Sequence, residues 1–256
     1  MDQDEGGLMV DVMRGVLAWF QDPANWQGEE GLVNRLVEHL LLTATATVVA
    51  VFLALPLTVW LGHVGRGGLL AVNISNVGRA VPTFAVLVLL SVGPVGSADF
   101  GPYGRAGLAT LVALVLFALP PIITNAYVGM REVDRDTVEA ARGMGMRGTQ
   151  LLRRVELPLA LPLILTGVRL AVVQVWATAT IAALVAGPGL GRIITLGFRR
   201  QDVGEVVAGA LVVAVIALVL EGLMVLAQRF FDPVARARRT SALRPDPDRV
   251  PDAPVE

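Results

Sequence analysis

Apolar residues fill five long runs of this chain, separated by short polar breaks. Leu40 to Leu61 holds 22 residues without a charge, and Ala106 to Met130 holds 25. The runs at about 70–93, 159–186 and 206–228 each carry a single charged residue: Arg79, Arg169 and Glu221. A helix needs about 20 mostly apolar residues to cross the hydrocarbon core of a bilayer. The pattern therefore predicts an all-α, polytopic membrane protein with about five transmembrane helices. Pro56, Pro82 and the pair Pro120–Pro121 interrupt these runs, as lipid-embedded helices tolerate. Before the first run, Leu8, Met9, Val12, Val16, Leu17 and Phe20 recur at nearly helical spacing. That segment is too short to span. It either lies in the membrane interface with Trp19 and Trp26 or packs at the outer rim. Three regions result: 1–36 as an N-terminal extracytoplasmic or interfacial segment, 37–231 as the transmembrane domain, and 232–256 as a disordered cytoplasmic tail rich in Arg and Pro. Met1 to Gly7 is acidic and lacks the basic start of a signal peptide.

The longest polar interruption is Glu139 to Pro158, EAARGMGMRGTQLLRRVELP. Asp136 with Glu139 three residues later reads as a capped helix start. Ala140 and Ala141 continue the helix and give it a small, smooth face. Gly143 and Gly145 let the chain turn. Thr149 caps a second short helix, Gln150 to Val155, which stops at Leu157–Pro158. The expectation is a helix-turn-helix between the third and fourth spans.

Composition narrows the chemistry. The 256 residues are 54% hydrophobic and 17% charged, with formal net charge −1, so there is no basic nucleic-acid footprint. There is no Cys, which removes disulfides and thiolate sites. All 21 basic residues are Arg, so a lysine-dependent phosphate loop cannot reside here. The two histidines, His39 and His63, flank one span, and no His/Cys/Asp/Glu group has metal spacing. No catalytic constellation can be assembled at one membrane depth. The chain is expected to be no enzyme and to need no cofactor or metal. With the polar interruption placed inside, fourteen arginines fall on the inner side and six outside, which favours an outer N-terminus and a cytoplasmic C-terminus.

The polar stretch resembles the coupling loop of ABC-transporter permease subunits, whose pattern is EAA, three residues, Gly, nine residues, Ile or Val, one residue, Leu-Pro. Glu139, Ala140, Ala141, Gly145, Val155, Leu157 and Pro158 fall on its positions. The run from Leu119 to Gly191, together with Asn76 to Leu90, is similar to the osmoprotectant branch of that family. That branch takes up glycine betaine, choline, carnitine or proline betaine.

The resemblance implies a binding-protein-dependent importer permease of the bacterial cytoplasmic membrane. It works in a pair of permease chains, identical or not, on two ABC ATPase subunits, with solute delivered by an extracytoplasmic binding protein. Glu139 to Gly145 is then expected to carry the ATPase contact. A permease for another small solute, such as an amino acid or methionine, remains the alternative. Inside the spans, Asn73, Asn76, Asn125, Arg169, Gln174, Trp176 and Glu221 either line a solute path or act as interhelical glue. Matched depths predict that Arg169 and Glu221 form an ion pair: they lie ~15 Å and ~12 Å from the inner side. Gly187, Gly189 and Gly191, with the loop bearing Arg199 and Arg200, are expected to form an outer gate and a docking face.

Overall fold

The computed structural model describes residues 2–68, 73, 78, 80–97, 101–104 and 106–231. Among these no strand occurs. We number the longer helices α1 (Asp2–Gln21), α2 (Leu32–Val64), α3 (Thr83–Val92), α4 (Gly107–Arg131), α5 (Arg135–Gly143), α6 (Leu157–Ala182), α7 (Gly191–Arg200) and α8 (Val203–Phe231). The helices α2, α4 and α8, and a continuous segment Gly148–Val185 containing α6, are long and apolar enough to span a membrane. The shorter α3 covers the end of the expected 70–93 span. Asn76 and Arg79, like the 232–256 tail, lie outside the described residues.

Small residues at helical spacing make the centre. Leu42, Ala46, Ala50 and Ala54 form a stripe along α2, one per turn, and every one is buried. They face Leu111, Leu114, Ala118 and Ile122 of α4 and Ala171, Val175 and Ala179 of α6. Without large side chains, the three backbones approach closely, which is what holds helices together where lipid removes the usual hydrophobic drive. A second cluster, near the Arg131 end of α4, joins Ala126 and Met130 of α4 to Ala160 and Ile164 of α6. By contrast, Leu211, Val215, Leu218, Leu223 and Leu226 of α8 are exposed apolar surface, as suits a helix bordered by lipid or another chain.

Three expectations change here. The N-terminal helix is longer than the apolar pattern suggested, and of the two placements open to it the packed one is found: Trp19 joins Leu32, Trp176, Ile193 and Ala208 in a buried cluster. Its other face keeps Met9, Met13 and Leu17 exposed. The stretch after Gly191 is not a loop but the amphipathic helix α7, with Leu190, Ile193 and Gly197 buried along one side. Finally, Leu157–Pro158 does not stop a helix. A π-turn, Leu152–Glu156, precedes it, and the Leu157 N–H bonds to the Leu152 carbonyl five residues back. Pro158 then follows as the second residue of α6, directly after the π-turn and within the same continuous helical segment.

Candidate functional site

The α5 helix is held at both ends by its own sequence. Asp134, not Asp136, is the N-cap. Its carboxylate accepts from the Asp136 N–H (3.3 Å) and from the Thr137 hydroxyl (2.9 Å). These bonds hold the Asp134 pKa below the usual carboxylate value. At the C-terminus the Met146 N–H reaches the Ala141 carbonyl and the Gly145 N–H reaches the Arg142 carbonyl, the two bonds of a Schellman turn. Gly145 has φ +83°, so the turn uses a conformation that other residues rarely adopt. The following short helix, Gly148–Leu151, is capped by Gln150 and not by Thr149: the Gln150 side chain accepts from the Arg147 N–H at 3.0 Å.

Packing decides which face of α5 is presented. Ala141 is only 2% exposed and Val138 is half-buried. Glu139, Ala140, Gly143 and Met144 are exposed, Met144 by 74%. The expectation that the ATPase contact includes Ala141, within Glu139 to Gly145, is therefore corrected, because Ala141 packs within its own chain. Val155, Leu157 and Pro158 are half-buried at the root of α6. Between Val155 and Leu157, Glu156 is buried and contacts the His63 ring at the end of α2. The sequence reading did not assign this pair a role. A signal was present: Glu156, Ala160, Ile164, Gly167 and Ala171 are spaced by three or four, and all are buried.

Within the apolar helices, the expected ion pair forms. The Arg169 Nε lies 3.3 Å from Glu221 Oε1, joining α6 to α8. Nη1 donates to Gln228 Oε1 at 3.3 Å, and Gln228 Nε2 donates in turn to Thr166 Oγ1 at 2.7 Å. Gln174 and Asn125 spend their amides on backbone. Pro121 has no N–H, which leaves the Phe117 carbonyl without its helical donor, and Gln174 Nε2 reaches that carbonyl at 3.3 Å. Asn125 Nδ2 donates to the Pro121 carbonyl at 2.8 Å. Trp176 is 1% exposed, its N–H donates to the Val213 carbonyl at 3.1 Å, and its ring packs against His39. Of the two roles open to Trp176, that is the placement of a packing residue. Asn73 is exposed.

At the opposite end, Gly187–Gly191 folds back on α2. The Gly189 N–H donates to Glu38 Oε2 at 3.0 Å, and the Leu190 N–H donates to His39 Nδ1 at 3.1 Å. Gly189 has φ +105°, and a β-carbon there would come within 2.8 Å of His39 Nδ1. Arg192 donates to the carbonyls of Ala186 and Gly187. Burial, and then the neighbouring Arg35 guanidinium, lower its pKa below the usual arginine value. A cavity of about 790 Å³ opens between α7 and the segment after α1, lined by Arg35, Arg192, Arg199 and Arg200 together with Glu30 and Glu205. Among the described residues, no group of three or more His, Cys, Asp or Glu could hold a metal ion.

Residues 42–237 match the family described as binding-protein-dependent transport system inner membrane component. The choline transport system permease protein OpuBB of Bacillus subtilis is 30% identical over 211 residues, covering 81% of this chain and 91% of that protein. The osmoprotectant import permease protein OsmY of Salmonella typhimurium is 35% identical over 188 residues, covering 73% of this chain and 76% of OsmY. Among solved structures, an inward-facing crystal form of the MetNI methionine ABC transporter aligns with TM-score 0.67 at 22% identity. That alignment covers 78% of this chain and 95% of the other, a likeness of fold.

Proposed function

This chain belongs to the family of binding-protein-dependent transport system inner membrane components, and we propose that its solutes are compatible solutes such as glycine betaine, choline, carnitine or proline betaine. It is a multi-pass membrane permease subunit and not an enzyme. The solute class rests on the named cargoes of its relatives, choline for OpuBB and osmoprotectants for OsmY. In this reading two permease chains sit on two ATPase subunits, with the N-terminus outside, α5 in the cytoplasm and the tail beyond 231 also inside. Fourteen inner arginines against six outer ones support that orientation. The 1–36 segment lies on the outer side and 37–231 forms the translocating unit.

One observation carries the mechanism. A helix capped at both ends presents Glu139, Ala140, Gly143 and Met144 outward while Ala141 ties its other face to the bundle. The small exposed face enters a groove on the ATPase, and closure of the ATPase pair moves α5. The π-turn and the continuous helix through Leu157–Pro158 pass that movement to α6. Arg169, Glu221, Asn125 and Gln174 brace the spans that move, and Asn73 borders the path at the start of the second span. On the outer side, Gly187, Gly189 and Gly191 form the gate, with Arg199 and Arg200 beside it where the binding protein docks.

The test is Ala140→Trp. Ala140 is exposed, so the bundle should fold and insert normally. The expected result is normal permease in the membrane, loss of ATPase copurification and loss of radiolabelled glycine betaine uptake. Full assembly and uptake would refute the docking face. Uptake of methionine alone, across a panel with glycine betaine, choline and carnitine, would overturn the solute class and leave the docking face standing.

A further inference from the structure

Both histidines of this chain lie on α2, one near each end, and each ties α2 to a segment to which the proposed mechanism gives a part. At the inner end His63 Nδ1 contacts Glu156 Oε2 in the π-turn that follows α5. Glu156 is 5% exposed and the His63 side chain 20%. Arg131, Arg135, Glu139 and Arg142 line a small cavity with the pair, so the contact sits at the junction of α2, α4 and α5. At the outer end His39 is fully buried. Because Nδ1 accepts from the Leu190 N–H, that nitrogen carries no proton, and Nε2 is left to donate to the Trp176 carbonyl at 3.0 Å. Beside it, Glu38 accepts from Gly189.

Between these grips α2 is one unbroken helix. His39 and His63 are 24 positions apart, about 36 Å along the axis at 1.5 Å per residue. Pro56 removes one helical bond, yet the helix runs through it, and the Thr58 hydroxyl donates to the Ala54 carbonyl beside the gap. We propose that α2 carries the state of the coupling turn to the outer turn, held by His63 on Glu156 at the inner end and by Glu38 and His39 on the Gly189–Leu190 backbone at the outer end. This inference rests on the assignment of α5 as the ATPase contact and of Gly187–Gly191 as the gate. His39, His63 and Glu156 are positioning residues: they act through the segments they hold.

The absence of Cys from the chain supplies a clean probe. Leu184 is 62% exposed next to the outer turn. Leu184→Cys would be labelled with a membrane-impermeant maleimide in proteoliposomes that contain the assembled permease and ATPase, with and without ATP. The expected background result is a several-fold change in labelling rate on adding ATP. His63→Leu leaves Glu156 buried without its partner at a cost to folding, so the decisive variant is His63→Leu with Glu156→Leu, which removes both partners and strands no charge. That double variant should retain bound ATPase and ATP hydrolysis and lose the ATP-dependent change in labelling, and His39→Leu, which leaves Glu38 on the Gly189 N–H, should lose part of it. His63→Gln, which keeps a polar contact to Glu156, should restore part of it. Combining the inner and outer changes should add nothing further, because one element is already disconnected.

A double variant that keeps the full ATP-dependent change would overturn the proposal while leaving the coupling assignment intact. Parallel loss of ATP hydrolysis and labelling change, with no recovery in His63→Gln, would reduce the pair to a structural contact and overturn it too. No ATP-dependent change in the background would sink the gate assignment and this inference together.

Discussion

Replacing Arg169 by Met should destabilise the permease through Glu221, and the size of the effect follows from the geometry. The charges approach to 3.3 Å. At an effective dielectric of ~20 this separation corresponds to a gross attraction of about 5 kcal/mol. Removing the ions from water offsets much of it. What mutagenesis reads is the cost of stranding one partner, about 3–5 kcal/mol for a fully buried pair. Here the side chains are 28% and 39% exposed, so roughly half that figure, ~2 kcal/mol, is expected. Gln228 would also lose its guanidinium donor while keeping its bond to Thr166. The assay is thermal unfolding of the purified permease in detergent, where ~2 kcal/mol should lower Tm by about 4–8 °C. Arg169→Met combined with Glu221→Leu should recover most of the loss, because no charge is then stranded. A single variant within about 0.5 kcal/mol of the parent would place the pair among ordinary surface contacts. A double variant as unstable as the sum of the singles would show no interaction at all. Either result would refute the reasoning.

Gly145→Val should cost ~1–2 kcal/mol through backbone conformation alone, since φ is +83° and a β-carbon there meets nothing within 4 Å; Gly145→Asn should recover part of it, read by Tm and by uptake. Gln174→Leu strands the Phe117 carbonyl and should lower stability by about 1 kcal/mol, with the KM for glycine betaine unchanged; a raised KM at unchanged stability would return Gln174 to the solute path. Asp134→Ala should speed amide exchange over Asp136–Val138. The Asp134 pKa is lowered in the folded state, so the cap is complete above the unfolded value and is lost as pH falls through the folded one. Exchange protection, corrected for its intrinsic rate, should therefore stay flat between pH 7 and 5 and decline only in stronger acid.

Much of the architecture was legible because lipid enforces it. Charge-free runs must be helices, and a lone Arg and a lone Glu at matched depth had a reason to meet. Arg169 and Glu221 do so. What failed was local. The π-turn before Leu157–Pro158 depends on one backbone bond of unusual register, Leu157 to Leu152, which residue preferences do not encode. Asp134 rather than Asp136 caps α5 because either acid fits a capping pattern and only the chain's path from α4 selects one. Which alanine faces out cannot be told from a nine-residue helix alone, since that depends on how α5 settles against its neighbours. The missed α7 was partly readable: Leu190, Ile193 and Gly197 hold helical spacing, but the glycines and arginines around them pointed to a loop. Glu156 occupies the free position of the coupling pattern between Val155 and Leu157, so the pattern itself assigns it nothing, and only its spacing from Ala160 and Ile164 marks it as inward-facing.

The central claim is that the outward face of α5 is the ATPase contact, and the Cys-free background allows it to be measured residue by residue. Single cysteines at Ala140, Gly143 and Met144 would be treated with a short bifunctional maleimide in membranes containing the assembled transporter, alongside Ala141→Cys on the buried side. Crosslinks to the ATPase are expected from positions 140, 143 and 144 and none from 141. Crosslinking from 141 as readily as from 140, or none from the three exposed positions in a transporter that still takes up solute, would contradict it.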